Sequence, residues 1–167
     1  MPANASGFSY KALLQHLSAA GVRCIVIGGA AAVLHGSSML TKDLDIVPDR
    51  SAENLDRLEA VLRELGALIR DPARRRIEPP RWALEGERPV LMQTSLGPLD
   101  ALGTLNDGRG YEDLVDRSLP IPGYPGIRFL DLPTLIEVKL AAGRPKDLQG
   151  VAILKALEDE LSGGDED

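Results

Sequence analysis

Asp43 and Asp45 stand two residues apart in Thr41-Lys-Asp-Leu-Asp-Ile46, and Asp100 stands alone in the apolar run Leu99-Asp-Ala-Leu102. Residues 43–47 alternate polar with apolar side chains, the pattern of a strand with one wet face. Successive strand side chains point to opposite faces, so the two carboxylates project from one side. Like charges that close raise each other's pKa, and a hard divalent cation such as Mg2+, which prefers oxygen ligands, resolves the repulsion. The spacing alone is a weak signal: with 14 aspartates in the chain, roughly one such pair is expected by chance. Asp165-Glu-Asp167 repeats it at the C-terminus without any context. Asp100 is harder to dismiss. A carboxylate between Leu99 and Ala101 costs free energy unless it points to solvent, pairs with a cation or binds a metal.

The elements that must position these acids can be read from the spacing of apolar residues. Tyr10, Leu13, Leu14 and Leu17 recur at helical spacing and stop at Gly21. Residues 22–27 form a short β-branched run, expected to be a buried strand, that leads straight into Gly28-Gly29 and a small-residue helix over 30–34, closed by His35-Gly36. Taken alone, the glycine pair reads first as room for close strand-to-helix packing; it equally lets a phosphate approach backbone N–H groups. Ser51 caps an amphipathic helix with Leu55, Leu58, Val61, Leu62 and Leu65 on one stripe and Gly66 past its end. Residues 71–88 are polar and read as a surface excursion with room for a short strand or helical turn. Residues 90–94 and 99–102 flank the turn residues 95–98 as a hairpin. Residues 111–117 predict a short helix, and 119–121 and 127–130 short extended segments. Two helices close the chain: one capped by Asp131, with Leu135, Val138 and Leu140 as its apolar set and Gly143 at its end, the other over 145–161.

At 167 residues, with 44% hydrophobic and 26% charged residues, the chain is expected to form one domain over 1–161, with 162–167 a disordered acidic tail. Only 4% of residues are aromatic, so platforms for stacking a single-stranded nucleic acid are scarce. The net charge of −6 repels polyanions, leaving nucleic acid to a local patch or to bridging metal. The one basic cluster, Arg70, Arg74, Arg75, Arg76, Arg81 and Arg88, is interleaved with Asp71, Glu78, Glu85 and Glu87 and reads as a mixed solvated surface. Cys24, the only cysteine, lies in an apolar run and reads as an inert thiol. With no apolar stretch of membrane-spanning length and no basic-apolar leader pattern, the cytoplasm is the expected location. The glycines do not follow dinucleotide-binding spacing, and no nucleophile-elbow pattern is present.

Taken together, Val26-Ile-Gly-Gly-Ala-Ala-Ala-Val-Leu-His-Gly36, Thr41-Lys-Asp-Leu-Asp-Ile46 and Leu99-Asp-Ala-Leu102 resemble the DNA polymerase beta-like nucleotidyltransferase superfamily. The likeness is to its small bacterial branch of minimal nucleotidyltransferases and abortive-infection toxin–antitoxin members. Leu135-Ile-Glu-Val-Lys139 through Arg144-Pro-Lys-Asp147 is similar to that branch's C-terminal helix pair, so the resemblance spans about residues 22–155. It implies an α+β nucleotidyltransferase fold, a mixed and mostly antiparallel sheet flanked by helices with a C-terminal helix pair. It further implies that Asp43, Asp45 and Asp100 hold two Mg2+ ions, and that Asp100 helps deprotonate the attacking hydroxyl. Gly28 and Gly29 would cradle the triphosphate of an NTP, Thr41 and Lys42 would contact nucleotide or acceptor, and Lys139 would bring positive charge to the phosphates. For Lys42 and Lys139 a solvated surface role stays open, and Asp147 is an alternative partner for Lys139. The partners implied are an NTP, an RNA or protein acceptor and a cognate toxin or antitoxin. Two features depart from the pattern. Ala30-Ala31 follows the glycine pair where a serine is common, and residues 37–40 lack the arginine that commonly precedes the acidic pair. These departures favour a second reading, a member of the fold that acts mainly by binding a partner.

Overall fold

A computed structural model describes residues 10–163. Residues 1–9, the stretch read for a leader, and 164–167, including the second acidic pair, lie outside the described residues. The strands are β1 (Cys24–Ile27), β2 (Leu44–Pro48), β3 (Leu68–Ile69), β4 (Val90–Thr94), β5 (Gly97–Ala101), β6 (Ser118–Pro120) and β7 (Ile127–Leu130). They form one sheet in the order β3-β4-β5-β2-β1-β7-β6. Pairing is antiparallel for β1–β2, β3–β4, β4–β5 and β6–β7, and parallel for β1–β7 and β2–β5. The parallel β2–β5 pair needs a long connection, and residues 49–96 supply it through two helices, β3 and β4.

The helices are α1 (Tyr10–Ala19), α2 (Gly28–Leu34), α3 (Ala52–Glu64), α4 (Arg81–Glu85), α5 (Tyr111–Leu114), α6 (Leu132–Ala142) and α7 (Pro145–Gly163). The predicted stripe of α3 is buried in full, and Asn54 N–H bonds to the Ser51 hydroxyl that caps it. Asn54 itself is fully buried. It donates to the carbonyls of Arg23 and Asp49 and accepts from Arg23 N–H, so it ties the start of β1 to the segment leaving β2 with every polar atom satisfied. In α6 the Asp131 cap and the left-handed Gly143 terminus form as expected, while Leu140 of its predicted apolar set is exposed. The hairpin turn is tighter than the four residues expected: Thr94 pairs with Gly97, and Pro98 sits inside β5 opposite Gln93. Gly97, at φ +123°, makes this two-residue connection feasible, and its carbonyl accepts from the Thr94 hydroxyl. The last helix continues through Ser162 and Gly163, the first two residues of the expected tail. The surface excursion contains α4. Just before it, β3 is a strand of two half-buried residues, too short to show any periodicity.

The core is built mainly of Leu, Ile, Val and Ala, with Met92 also fully buried, as the low aromatic content requires. Cys24 is part of it, and burial pushes its thiol up to about 12, so it stays protonated. No helix among the described residues is long and apolar enough to cross a membrane.

Candidate functional site

The register of the central strands brings the three acids together. Asp45 pairs with Ile27 of β1 on one side and with Asp100 of β5 on the other, and Asp100 pairs in turn with Leu91 of β4. Directly paired residues share a sheet face, so Asp45 and Asp100 emerge side by side. Asp43, two residues upstream at the entrance to β2, falls on the same side, and its carbonyl accepts from the Thr41 hydroxyl at 2.8 Å. One carboxylate oxygen from each of Asp43, Asp45 and Asp100 lies within 4.8 Å of the others. Leu44 and Ile46, on the alternate face, are fully buried and fix which way the acids point.

The electrostatics are those of a cluster short of positive charge. Asp45 is pushed up to about 7, first by burial, then by the charges of Asp43 and Asp100 and a hydrogen bond with Asp100, while Arg70 pulls it down. Asp43 is also raised, by burial and by Asp100, against the opposing pull of Arg70 and Lys146. Asp100 is buried and meets the guanidinium of Arg70. Nη2 donates to Oδ2 at 3.2 Å, while Nη1 lies 2.7 Å from Oδ1 and donates to the Met92 carbonyl, 2.8 Å away. Asp100 Oδ1 therefore has an ion contact but accepts no directed hydrogen bond. The donor set fits a hard divalent cation: three converging carboxylates, one with a buried oxygen lacking a directed partner and one that otherwise holds a proton near neutrality.

Gly28 lies against this cluster. Its φ is +65°, and a Cβ placed on it would stand 2.6 Å from Asp45 Oδ2. Gly29 faces Thr41, whose hydroxyl oxygen would be 3.0 Å from an added Cβ. Both glycines are thus needed for close approach, and at Gly28 the approach is to the carboxylate. A Gly28→Ala variant is expected to lose about 2 kcal/mol, from the left-handed backbone and the displaced acid, which corresponds to a fall in Tm of roughly 4–8 °C. In an Asp45→Ala background the same change should cost visibly less; a melting-temperature cycle that came out additive would place the carboxylate elsewhere.

The remaining expected residues separate. Thr41 is beside the cluster, whereas Lys42 is exposed. Lys139 lies on the helix pair, with Nζ 3.4 Å from where a Cβ on Gly150 would stand, and its charge helps hold Asp147 below the usual carboxylate range after the dominant Arg144 contact. Arg144 Nε donates to Asp147 Oδ2 at 2.6 Å. His35 is structural: its Nε2 is 2.8 Å from the Leu130 carbonyl and its ring tilts against Phe129. Two basic residues beside the acids were not among the expected site residues. Arg70 was submerged in the mixed-charge cluster, and only its position one step past the two-residue β3 puts it level with Leu91 and Asp100. Lys146, in Arg144-Pro-Lys-Asp147, acts on Asp43 from the start of α7.

This sheet order, with Asp45 and Asp100 on the paired strands β2 and β5, Asp43 just before β2 and a C-terminal helix pair, is that of an α+β nucleotidyltransferase fold. The chain is similar in structure to a proposed nucleotidyltransferase of Thermotoga maritima, at 18% identity over 90% of this chain and 93% of that one, with a TM-score of 0.52. It also aligns with a proposed nucleotidyltransferase of H. pylori, at 17% identity over 78% of this chain and 54% of that one, with a TM-score of 0.41. No family model matches the sequence, and no curated protein matches it either.

Proposed function

We propose that this chain is a Mg2+-dependent nucleotidyltransferase that moves a nucleoside monophosphate from an NTP to a hydroxyl of an RNA such as tRNA, a protein or a small molecule. The observation that carries this reading is the convergence of Asp43, Asp45 and Asp100 within 4.8 Å beside Gly28. The acceptor hydroxyl oxygen forms a bond to the α-phosphorus, the bond from that phosphorus to the bridging oxygen breaks, and pyrophosphate leaves with the electron pair. Asp100, paired with Asp45 on the neighbouring strand, would take the hydroxyl proton. Two Mg2+ ions, held by the three aspartates, would neutralise charge developing on the attacking and leaving oxygens. Gly28 and Gly29 keep side chains out of the space beside Asp45 and Thr41, where the triphosphate would lie.

A bacterial toxin–antitoxin or phage-defence role follows from the sequence resemblance. A second reading, a partner-binding module with weak catalysis, is favoured by Leu140 on α6 and Leu148, Ile153 and Leu161 on α7, all exposed. Incubating the protein with each α-labelled NTP, Mg2+ and total RNA or cell extract tests both. Transfer that disappears in Asp43→Asn/Asp45→Asn is the expected result and identifies the acceptor class. Absence of transfer and of Mg2+-dependent NTP binding, with a stoichiometric complex formed by a neighbouring gene's product, would establish the second reading instead.

A further inference from the structure

A cavity of about 410 Å³ opens at the β3 end of the sheet, within the size range of small-molecule sites. None of the three aspartates lines it, but two of its wall residues belong to their row. Leu91 pairs directly with Asp100, and Arg70, whose N–H bonds to the Leu91 carbonyl, holds the Asp100 carboxylate. The cavity therefore begins one strand spacing, about 5 Å, from the β5 strand that carries Asp100. It lies on the opposite flank from Gly28, which follows Ile27 at the β1 end of the same row. The second large cavity, about 380 Å³ between α3 and residues 76–81, includes no residue of that row.

The wall chemistry narrows the ligand. Trp82 of α4 is 76% exposed, so its indole contributes little to the core. Arg88, also on the wall, makes no ion pair or hydrogen bond among the described residues. Elsewhere in the basic cluster, Arg75 is neutralised by Asp71, and Arg81 by Asp56 and Glu59; Arg74 and Arg76, also without an ion pair among the described residues, do not line this cavity. The wall also holds the exposed Leu91 and the carboxylate of Glu87; the open indole of Trp82 and the unpaired guanidinium of Arg88 together match a planar base that carries a phosphate. One indole suits one base, consistent with a chain too poor in aromatics to stack a tract.

We propose that this cavity seats the acceptor and that the acceptor is a nucleotide, its base on Trp82, its phosphate at Arg88 and its ribose directed toward Asp100. The direction of transfer rests on the nucleotidyltransferase reading; occupancy by a nucleotide does not. The donor is assigned to the Gly28 flank and the acceptor to the Arg70 flank, because Asp100, the acid nearest the cavity, is the one that would receive the hydroxyl proton in the proposed transfer.

Trp82 is the only tryptophan in the chain, so its emission reports on this cavity alone. Titration of the full chain with AMP in EDTA should quench that emission saturably, and equally in Asp43→Asn/Asp45→Asn. The affinity should fall about tenfold in Arg88→Ala, and ribose 5-phosphate should leave the emission unchanged. In label transfer, Trp82→Ala should raise the acceptor KM about tenfold with the NTP KM unmoved. Loss of transfer with quenching intact would end the catalytic reading and leave the nucleotide site standing. The site itself is overturned by absence of saturable quenching, by quenching with ribose 5-phosphate alone, or by quenching seen only with NTP and Mg2+ and lost in the double Asn variant; an unchanged acceptor KM in Trp82→Ala would overturn its assignment to the acceptor.

Discussion

Asp45→Asn is expected to reduce label transfer about 10³-fold or more while raising the stability of the metal-free protein. The two effects have one cause. Asp45 is half-enclosed between Asp43 and Asp100 and is pushed up to about 7, so ionising it in the folded state without a cation is costly. Between the model-peptide value of 3.8 and about 7, the folded chain retains a proton that the unfolded chain has lost. Stability therefore falls as pH rises through that window, and the loss is complete above it. At 1.36 kcal/mol per pKa unit the shift corresponds to at most roughly 4 kcal/mol. Asparagine removes the charge and keeps the shape. In EDTA the variant should melt at the same temperature as the wild type near pH 4 and progressively higher toward pH 7.5. Mg2+ should stabilise the wild type more at pH 7.5 than at pH 5, and the variant little at either. Superimposable melting curves across that range would show that Asp45 is not the desolvated acid, and unchanged transfer would remove it from the catalytic centre.

The parts of this site that were legible in the sequence are those that rest on local rules. Period-two alternation put Asp43 and Asp45 on one face, and the apolar setting of Asp100 marked it as an acid needing a partner. The Ser51 and Asp131 caps located α3 and α6 because capping is decided within three residues. What was not legible depends on pairing between distant strands. The β2–β5 register aligns Asp45 with Asp100 across 55 residues of chain, and no local pattern encodes it. Arg70 belongs to the site only because β3 forms, and β3 forms because residues 68–69 add to the edge of a hairpin, a tertiary event invisible in two residues. The same long-range event brings part of a mixed-charge cluster against the three carboxylates. Salt bridges to Asp71, Asp56 and Glu59 absorb Arg75 and Arg81, as a solvated surface would, but Arg70 turns inward and Arg88 remains unpaired beside Trp82.

Arg70→Met should be the most destabilising single change in the site when metal is absent, and Mg2+ should reverse most of it. Methionine keeps the aliphatic length of the side chain and deletes the guanidinium, leaving Asp100 buried without its ion partner. Breaking a buried pair in this way costs roughly 3–5 kcal/mol; because Arg70 is one-third exposed, about 2–4 kcal/mol is expected. Arg70 also holds down both Asp43 and Asp45, so its loss drives Asp45 above its present value of about 7 and keeps a proton in the cluster to higher pH. Two signs follow. The Tm deficit of Arg70→Met in EDTA should be larger at pH 8 than at pH 5, where the added proton partly replaces the missing cation. The alkaline shift should also appear in transfer, whose rate would rise with pH over a range displaced upward from that of the wild type. Asp100→Asn added to Arg70→Met should recover stability, because it removes the stranded charge, and the double-mutant cycle should show coupling of at least about 1 kcal/mol. Additive stabilities with an unshifted pH profile would mean that the guanidinium neither compensates Asp100 nor tunes its neighbours. In that case the metal-free cluster would have to be stabilised by protonation alone.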